Sequence, residues 1–397
     1  MLTCARICRR PRFFFEYIIS RPQTNTVVQR CGNDSNSSSP RSMTTTPSRR
    51  PSKPRKSPGG APASPPQAPD VLVDPDALMV GAGVTAVLQM LLFVLCDQND
   101  GCLIPAPYFT GYDSDVADPR VAVKALPVEN PSNRSGLDSV DEGIAPTVLE
   151  AARREAVANG TPPKVLLLAS PHNPTGKCYS AAALLSAVEW ARGAGLHTIA
   201  DEIYAGSVYG DGAVHTSLIR ALDGDLEGDV HVLYGVSKDF GCAGWRVGGV
   251  YTKSAAVREA IAPLAHAHEA STRTLAVFQE LFADSVGTAA YLSANRAALR
   301  GAYTAVTAAL SVHRVEFIPA EAGVFVLLDL RKHLKTATFR AEAALWQQMF
   351  DSCNVNLTPG HAMHVKTPGW FRLCFAAVPT LEAVEAVERI ASLLRRL

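Results

Sequence analysis

The chain has 397 residues, of which 47% are hydrophobic and 19% charged, and its formal net charge is +1. This length suits one large or two modest domains with a substantial core. The charge is uneven, because residues 1–69 contain 12 Lys and Arg but only 2 Asp and Glu. The remaining body is therefore mildly acidic and lacks the basic footprint of a nucleic-acid-binding protein, so no nucleic-acid partner is expected.

The first 69 residues differ in composition from the rest. An Arg-rich start leads through a Ser/Thr stretch to Ser-Pro and Ala-Pro pairs, and such a segment cannot bury enough apolar surface to order itself. Residues 1–69 are predicted to be a disordered basic segment, either a transit peptide or a misassigned start. The nine cysteines are scattered without a CxxC pair, which favours a reducing compartment. The predicted location is the cytoplasm, with a mitochondrion or another organelle as the alternative.

From Val71 onward, strand-like and helix-like runs alternate, which is typical of a layered α/β fold. The apolar run from Val80 to Cys96 contains Gln89 and falls short of about 20 residues, so it predicts a buried helix rather than a membrane span. Further predicted helices cover 146–159 and 181–192, and predicted strands cover 102–105, 164–169, 196–200 and 231–236. The polar motifs follow the ends of these strands, where open α/β sheets bind ligands.

Residues 254–312 are mostly helical in pattern, and a smaller mixed part follows, with predicted strands at 323–330 and 371–376. The predicted fold is therefore α/β. A large three-layer α/β/α domain with a mostly parallel sheet covers 70–310, and a smaller C-terminal α/β domain covers 311–397.

Lys238 follows the strand predicted at 231–236, and Arg246 lies eight residues further on among glycines. A lysine buried at a strand end loses hydration of its ammonium form, which makes its amine available as a nucleophile. An arginine among glycines, where the backbone can approach a ligand, suits a phosphate. Together they indicate a lysine bound as a Schiff base to pyridoxal 5′-phosphate (PLP). Considered alone, Lys238 is better explained as a surface lysine and Arg246 as a structural arginine.

Other residues offer the further contacts that PLP needs. A carboxylate at Asp201 can keep the ring nitrogen protonated, Asn173 and Tyr204 can hydrogen-bond the phenolate oxygen, and Phe109, or else Tyr108, can stack on the ring. The backbone amide of Val84 and the hydroxyl of Thr85 can hold phosphate at a helix N-terminus. Each residue also has a structural explanation: Asn-Pro is a common turn, an Asp after a strand often caps a helix, and a strand arginine such as Arg372 normally pairs with a carboxylate.

The ordered set Asn173-Pro-x-Gly, Asp201-x-x-Tyr204, Ser237-Lys238, Arg246-x-Gly248 and Arg372 resembles the fold type I PLP-dependent enzymes, the class I/II aminotransferase superfamily. Two stretches, from Asp74 to Leu88 and from Asn356 to Ala376, are most similar to 1-aminocyclopropane-1-carboxylate (ACC) synthases. The resemblance covers roughly residues 71–397.

The resemblance implies a role for each residue of this set. It assigns the covalent bond to PLP and proton transfer to Lys238, and the substrate carboxylate to Arg372. The implied cofactor contacts are the ring nitrogen for Asp201, the phenolate oxygen for Asn173 and Tyr204, stacking for Phe109, and the phosphate for Arg246, Ser237, Val84 and Thr85. It also implies a homodimer with active sites at the subunit interface and a small amino-acid substrate. No membrane partner is expected, because no apolar run is long enough to span a bilayer.

The chain departs from the family pattern in three places. Residues 1–69 do not resemble the family's N-terminal region, Gly235 replaces a serine three residues before the lysine, and Phe109 replaces a tyrosine common in ACC synthases. The expected function is a PLP-dependent amino-acid enzyme that catalyses transamination, or α-proton abstraction with γ-elimination as in ACC formation. The alternatives are a carbon–sulfur lyase of secondary metabolism and a catalytically impaired remnant.

Overall fold

The computed structural model describes residues 71, 73–117, 122–129, 137 and 139–397. The predicted basic segment 1–69 lies outside these residues, so that expectation stays a prediction. The strands are β1 (Leu78–Gly81), β2 (Gly101–Pro105), β3 (Lys124–Val128), β4 (Pro163–Ala169), β5 (His197–Asp201), β6 (Val230–Gly235), β7 (Gly248–Thr252), β8 (Glu316–Ile318), β9 (Phe325–Asp329), β10 (Thr358–Pro359) and β11 (Trp370–Cys374).

The α-helices are α1 (Val84–Leu95), α2 (Tyr112–Val116), α3 (Val140–Gly143), α4 (Pro146–Ala158), α5 (Ala181–Gly193), α6 (Leu218–Ala221), α7 (Val236–Asp239), α8 (Ala255–Ala265), α9 (Thr272–Ala283), α10 (Ser285–Val312), α11 (Phe339–Cys353) and α12 (Thr380–Leu394). Short 3₁₀ turns cover Pro75–Ala77, Ala243–Trp245, Arg331–His333 and Gly360–Met363. Most predicted boundaries lie within one or two residues of these; the strand predicted at 231–236 ends one residue earlier, because Val236 begins α7.

Seven strands form the large sheet in the order β1-β7-β6-β5-β4-β2-β3. The pairs β6–β5, β5–β4, β4–β2 and β2–β3 are parallel, whereas β7 runs antiparallel to both of its neighbours. Two apolar clusters of buried residues pack against this sheet. The predicted α/β class with a mostly parallel sheet is therefore confirmed.

Burial of the strands β4, β5 and β6 explains why they could be predicted from the sequence. Nearly every residue in them is buried, because helices cover both faces of a parallel sheet. Strands β4 and β6 therefore appear as nearly continuous apolar runs, whereas β5 also contains His197 and the buried Thr198. Each fully buried Leu, such as Leu166 or Leu168, contributes roughly 1.5–3 kcal/mol from its burial. Helix α1 buries apolar side chains, as predicted, but it begins at Val84 rather than at Val80, because Val80 and Gly81 pair with β7 as part of β1. Among the described residues, no helix combines the length and hydropathy needed to cross a membrane.

A second, antiparallel sheet has the order β10-β11-β9-β8 and shares an apolar core with α10, α11 and α12. It falls within the predicted C-terminal domain. The proposed division at residues 310 and 311 stays a prediction, and α10 continues two residues past it.

The large sheet brings three chain segments to one edge. Because β4, β5 and β6 are parallel neighbours, the residues after Ala169, Asp201 and Gly235 lie together at their carboxyl ends. The polar motifs of the sequence follow these strand ends.

Candidate active site

A cavity lies at the carboxyl edge of the sheet, and nine of the ten predicted site residues line it. They are Val84, Thr85, Phe109, Asn173, Asp201, Tyr204, Ser237, Lys238 and Arg246. The tenth, Arg372, hydrogen-bonds one of the nine. The structure therefore brings together residues that lie far apart in the sequence.

The N-terminus of α1 meets Arg246 at one end of the cavity. Gly83 caps the helix with φ +92°, and a Cβ atom there would lie 2.4 Å from the Arg246 Nη2 atom. Gly248 leaves equally little room, since its Cβ would lie 2.5 Å from the Val84 nitrogen. Gly83 leaves room for the guanidinium, and Gly248 leaves room for the backbone at the start of the helix, so both positions need glycine. Unpaired backbone amides beside a guanidinium form a suitable phosphate site.

Gly235 has a steric explanation. A Cβ atom at this position would lie 2.9 Å from both the Val247 carbonyl oxygen and the Val84 Cγ2 atom. A serine would therefore displace the backbone beside the start of α1. The absence of the family's serine is a consequence of how tightly β6, β7 and α1 pack here.

Lys238 is exposed, so the expectation of a buried lysine is wrong. The reason is that β6 ends at Gly235, and Lys238 lies on the helical turn α7 that follows, on the wall of the cavity. The next residue, Asp239, is buried and anchors this turn. Its carboxylate accepts hydrogen bonds from the Gly206 amide (2.7 Å), the Tyr234 hydroxyl (2.8 Å) and the Ser207 hydroxyl.

Asp201 is a buried carboxylate at the base of the cavity. The Tyr112 hydroxyl donates to Oδ2 at 2.7 Å and the Ile203 amide donates to Oδ1 at 3.2 Å. Burial raises the pKa of Asp201 to about 6, although both hydrogen bonds act in the opposite direction. No basic side chain among the described residues forms a salt bridge with Asp201. A desolvated carboxylate with only neutral donors suits a cationic ligand atom such as a protonated ring nitrogen.

Arg372 connects the small sheet to the cavity. Its Nη1 donates to the Asn173 Oδ1 at 2.8 Å and its Nη2 donates to the Thr358 hydroxyl at 3.2 Å. The guanidinium lies 5.3 Å from the Phe325 ring, and burial lowers the pKa of this half-buried arginine. Its Nε has no hydrogen-bond partner among the described residues. Neutral partners leave the cation uncompensated, which suits an incoming carboxylate better than the structural pairing considered above.

The Tyr204 side chain is buried beside the same arginine. Its ring contacts Phe325 edge to face at 5.4 Å. Burial raises its pKa well above the ordinary value of a phenol, and nearby Arg372 acts in the opposite direction. Tyr204 therefore keeps its proton at neutral pH and can donate it in a hydrogen bond.

The two aromatic candidates for stacking are separated by the structure. Tyr108 is buried, stacks on His364 with ring centroids 4.5 Å apart, and donates its hydroxyl to Asp113 at 2.7 Å. Phe109 lines the cavity instead. Stacking on a ring in this cavity is therefore available to Phe109 and not to Tyr108.

Two polar residues of the cavity were missed by the sequence analysis, Tyr112 and Asp115. Both belong to the five-residue helix α2, for which no helix was predicted. The Thr85 hydroxyl donates to the Asp115 Oδ2 at 3.4 Å, and burial raises the pKa of Asp115. The available signal was their spacing, three and six residues after Phe109, which a helical turn brings to the same side.

Comparison with known proteins supports the same picture. Residues 67–390 match the sequence model of the family described as Aminotransferase class I and II. The chain is 34% identical over 338 residues to 1-aminocyclopropane-1-carboxylate synthase 4 of Oryza sativa subsp. japonica, covering 80% of this chain and 67% of that protein. It is 32% identical over 327 residues to 1-aminocyclopropane-1-carboxylate synthase 6 of the same plant, covering 81% and 59%. The chain thus spans less than two thirds of the second relative.

A solved structure shares the fold. The aromatic aminotransferase from Pyrococcus horikoshii OT3 superposes with a TM-score of 0.68 at 23% sequence identity, covering 82% of this chain and 81% of that one. At this identity the similarity is one of fold.

Proposed function

Because the chain belongs to the PLP-dependent class I and II aminotransferase family, we propose that it is an ACC synthase-like enzyme that acts on an α-amino acid. The observation that carries this proposal is that Lys238 and Asp201 line one cavity and that Arg372 hydrogen-bonds Asn173, another residue of its lining. Lys238, Asp201 and Arg372 supply an amine, a desolvated carboxylate and an uncompensated guanidinium. A homodimer, as the family implies, is part of the proposal.

The cavity residues fit PLP and divide its binding among them. When bound, the cofactor supplies an electron sink for a carbanion at the substrate α-carbon. Asp201 holds a proton on the ring nitrogen, and the N-terminus of α1 with Ser237 and Arg246 binds the phosphate. Asn173 and Tyr204 hydrogen-bond the phenolate oxygen.

Substrate chemistry falls to two side chains. Arg372 binds the α-carboxylate through its planar fork, which orients the α-carbon toward the Lys238 amine. The Nζ atom of Lys238 then takes up the α-proton and returns it as general base and acid. Exposure of Lys238 on the cavity wall leaves its amine accessible to substrate.

The reaction branch is tested by product analysis of the full chain loaded with PLP. We expect S-adenosylmethionine to yield ACC, because ACC synthases are relatives above 30% identity. Keto acid formation from other amino acids would instead assign transamination, and pyruvate, ammonia and thiol from a cysteine conjugate would assign a carbon–sulfur lyase. PLP binding without any of these products would contradict the proposed activity.

The Arg372→Lys substitution tests the carboxylate role. An ammonium cannot reproduce the bidentate fork, so we expect the substrate Kd to rise about tenfold or more, roughly 1.4 kcal/mol. The PLP Kd should change less, through the lost contact with Asn173. Both constants can be measured by titration of the absorbance spectrum. The matched control is Arg192→Lys, because Arg192 is also half-buried and pairs with Asp229 at 2.8 Å. An unchanged substrate Kd would exclude this role for Arg372.

A further inference from the structure

Tyr112 occupies a position between two groups that the proposed function uses. Its hydroxyl donates to the Asp201 Oδ2 at 2.7 Å. Its ring meets Phe109 edge to face, with centroids 5.4 Å apart and an interplanar angle of 86°. The side chain is only 3% exposed and lines the cavity. One buried residue thus contacts both the carboxylate beneath the cavity and the aromatic ring on its wall.

The charges around Asp201 show why a donor is needed there. Asp115, on the same helix as Tyr112, and Glu202, adjacent in sequence, are both acidic, and each raises the pKa of Asp201. Burial acts in the same direction and more strongly, while the hydrogen bonds from Tyr112 and the Ile203 amide lower it. Tyr112 remains a donor because burial beside Asp201 raises its own pKa well above the ordinary value.

The hydrogen bonds also constrain geometry. Tyr112 holds Oδ2 and the Ile203 amide holds Oδ1, so the carboxylate plane is restrained from both ends. A phenylalanine at position 112 would preserve the ring and its contact with Phe109 but would leave Oδ2 without its donor. A buried carboxylate that loses a hydrogen bond binds its proton more tightly and becomes free to rotate.

We propose that Tyr112 is a positioning residue for the cofactor, whose hydroxyl keeps Asp201 ionised and aimed at the ring nitrogen. The proposal rests on the proposed function, because it assigns PLP to this cavity. It goes further in naming a residue of α2, outside the recognised motifs, as the support of Asp201. Tyr112 acts through Asp201 and touches none of the reacting atoms.

The test compares two ligands on the full chain. PLP and an analogue with carbon in place of the ring nitrogen are titrated into wild type and Tyr112→Phe at about pH 8. We expect the PLP Kd of the variant to rise about tenfold, the value of a hydrogen bond to a charged group, with the analogue Kd nearly unchanged. The pH below which PLP affinity is lost should also be higher in the variant, because Asp201 without its donor has a higher pKa.

The control is Tyr291→Phe, which removes a hydroxyl that donates to the Phe240 carbonyl at 2.9 Å outside the cavity. It should leave both Kd values at wild-type levels. Equal weakening of PLP and analogue by Tyr112→Phe would show a packing role and overturn the proposal, as would no weakening at all. Failure of the proposed function is distinguishable, because it would appear in wild type itself, either as no PLP binding or as PLP binding without turnover, whereas the proposal for Tyr112 is decided by how the two Kd values change between wild type and the variant.

Discussion

Replacement of Lys238 with alanine is expected to abolish covalent attachment of PLP and all turnover. The amine is the nucleophile that bonds the cofactor aldehyde and also the group that moves the α-proton, so one substitution removes both functions. Because Lys238 is exposed and its turn is anchored by buried Asp239, the change should alter the free energy of unfolding by less than about 0.5 kcal/mol. The measurement is borohydride reduction of the PLP-loaded protein followed by mass spectrometry.

A matched lysine is available as the control. Lys253 is exposed and directly follows the end of β7, whereas Lys238 is the third residue after the end of β6. Since β7 is antiparallel to β6, Lys253 lies at the opposite edge of the sheet. Lys253→Ala should therefore retain one reducible PLP per chain. Fixation of PLP in Lys238→Ala at the wild-type level would refute the assignment of the lysine.

The sequence predicted this end of the sheet because β4 and β6 are nearly uninterrupted apolar runs and β5 ends with the apolar pair Ile199-Ala200 before Asp201. In such runs the first polar residue marks the strand end, and Asp201 and Lys238 are found within a few residues of it. Parallel order then dictates that these ends are neighbours. The structure brings the predicted residues together on this basis, while their individual roles stay predictions.

Residues outside this pattern could not be placed. Helix α2 has five residues and no side-chain cap, so the spacing of Tyr112 and Asp115 after Phe109 is too short a pattern to predict a helix by itself. The partner of Tyr112, Asp201, lies 89 residues away, and only tertiary packing brings them together. The exposure of Lys238 was missed for a related reason, because a single helical turn after β6 decides which side of the chain faces the cavity.

Asp201→Asn is expected to inactivate the enzyme while stabilising the PLP-free protein at neutral pH. The pKa of Asp201 is raised from 3.8 to about 6 in the folded state. Between these values the folded state binds more protons than the unfolded chain, so stability falls as pH rises through this window. Above about pH 6 the ionised Asp201 lowers the free energy of unfolding by its full amount, up to about 3 kcal/mol.

Asparagine has the shape of aspartate, so it fits the site without a new cavity and keeps a partner for each of its two side-chain hydrogen-bonding atoms. Its Oδ1 can still accept from the Ile203 amide, and its Nδ2 can donate to the Tyr112 hydroxyl oxygen, since a hydroxyl can reverse its role. Urea unfolding of PLP-free protein at about pH 8 should therefore give a higher midpoint for the variant than for wild type. The advantage should shrink as pH falls from about 6 toward about 4. The pKa of Asp239 is also raised to about 6, so the stability of both proteins should fall by the same amount as pH rises through this window.

The same substitution should weaken PLP binding and lower turnover by at least about 100-fold, because a neutral amide cannot keep the ring nitrogen protonated. Asp229→Asn is the matched control. Asp229 is a half-buried carboxylate paired with Arg192, so its loss should give neither stabilisation at about pH 8 nor a change in PLP binding. A less stable Asp201→Asn at this pH would contradict the desolvation argument, and wild-type turnover would contradict the role of Asp201. If Asp201→Asn is both more stable and less active, the charge of Asp201 lowers the stability of the fold and is needed for the cofactor.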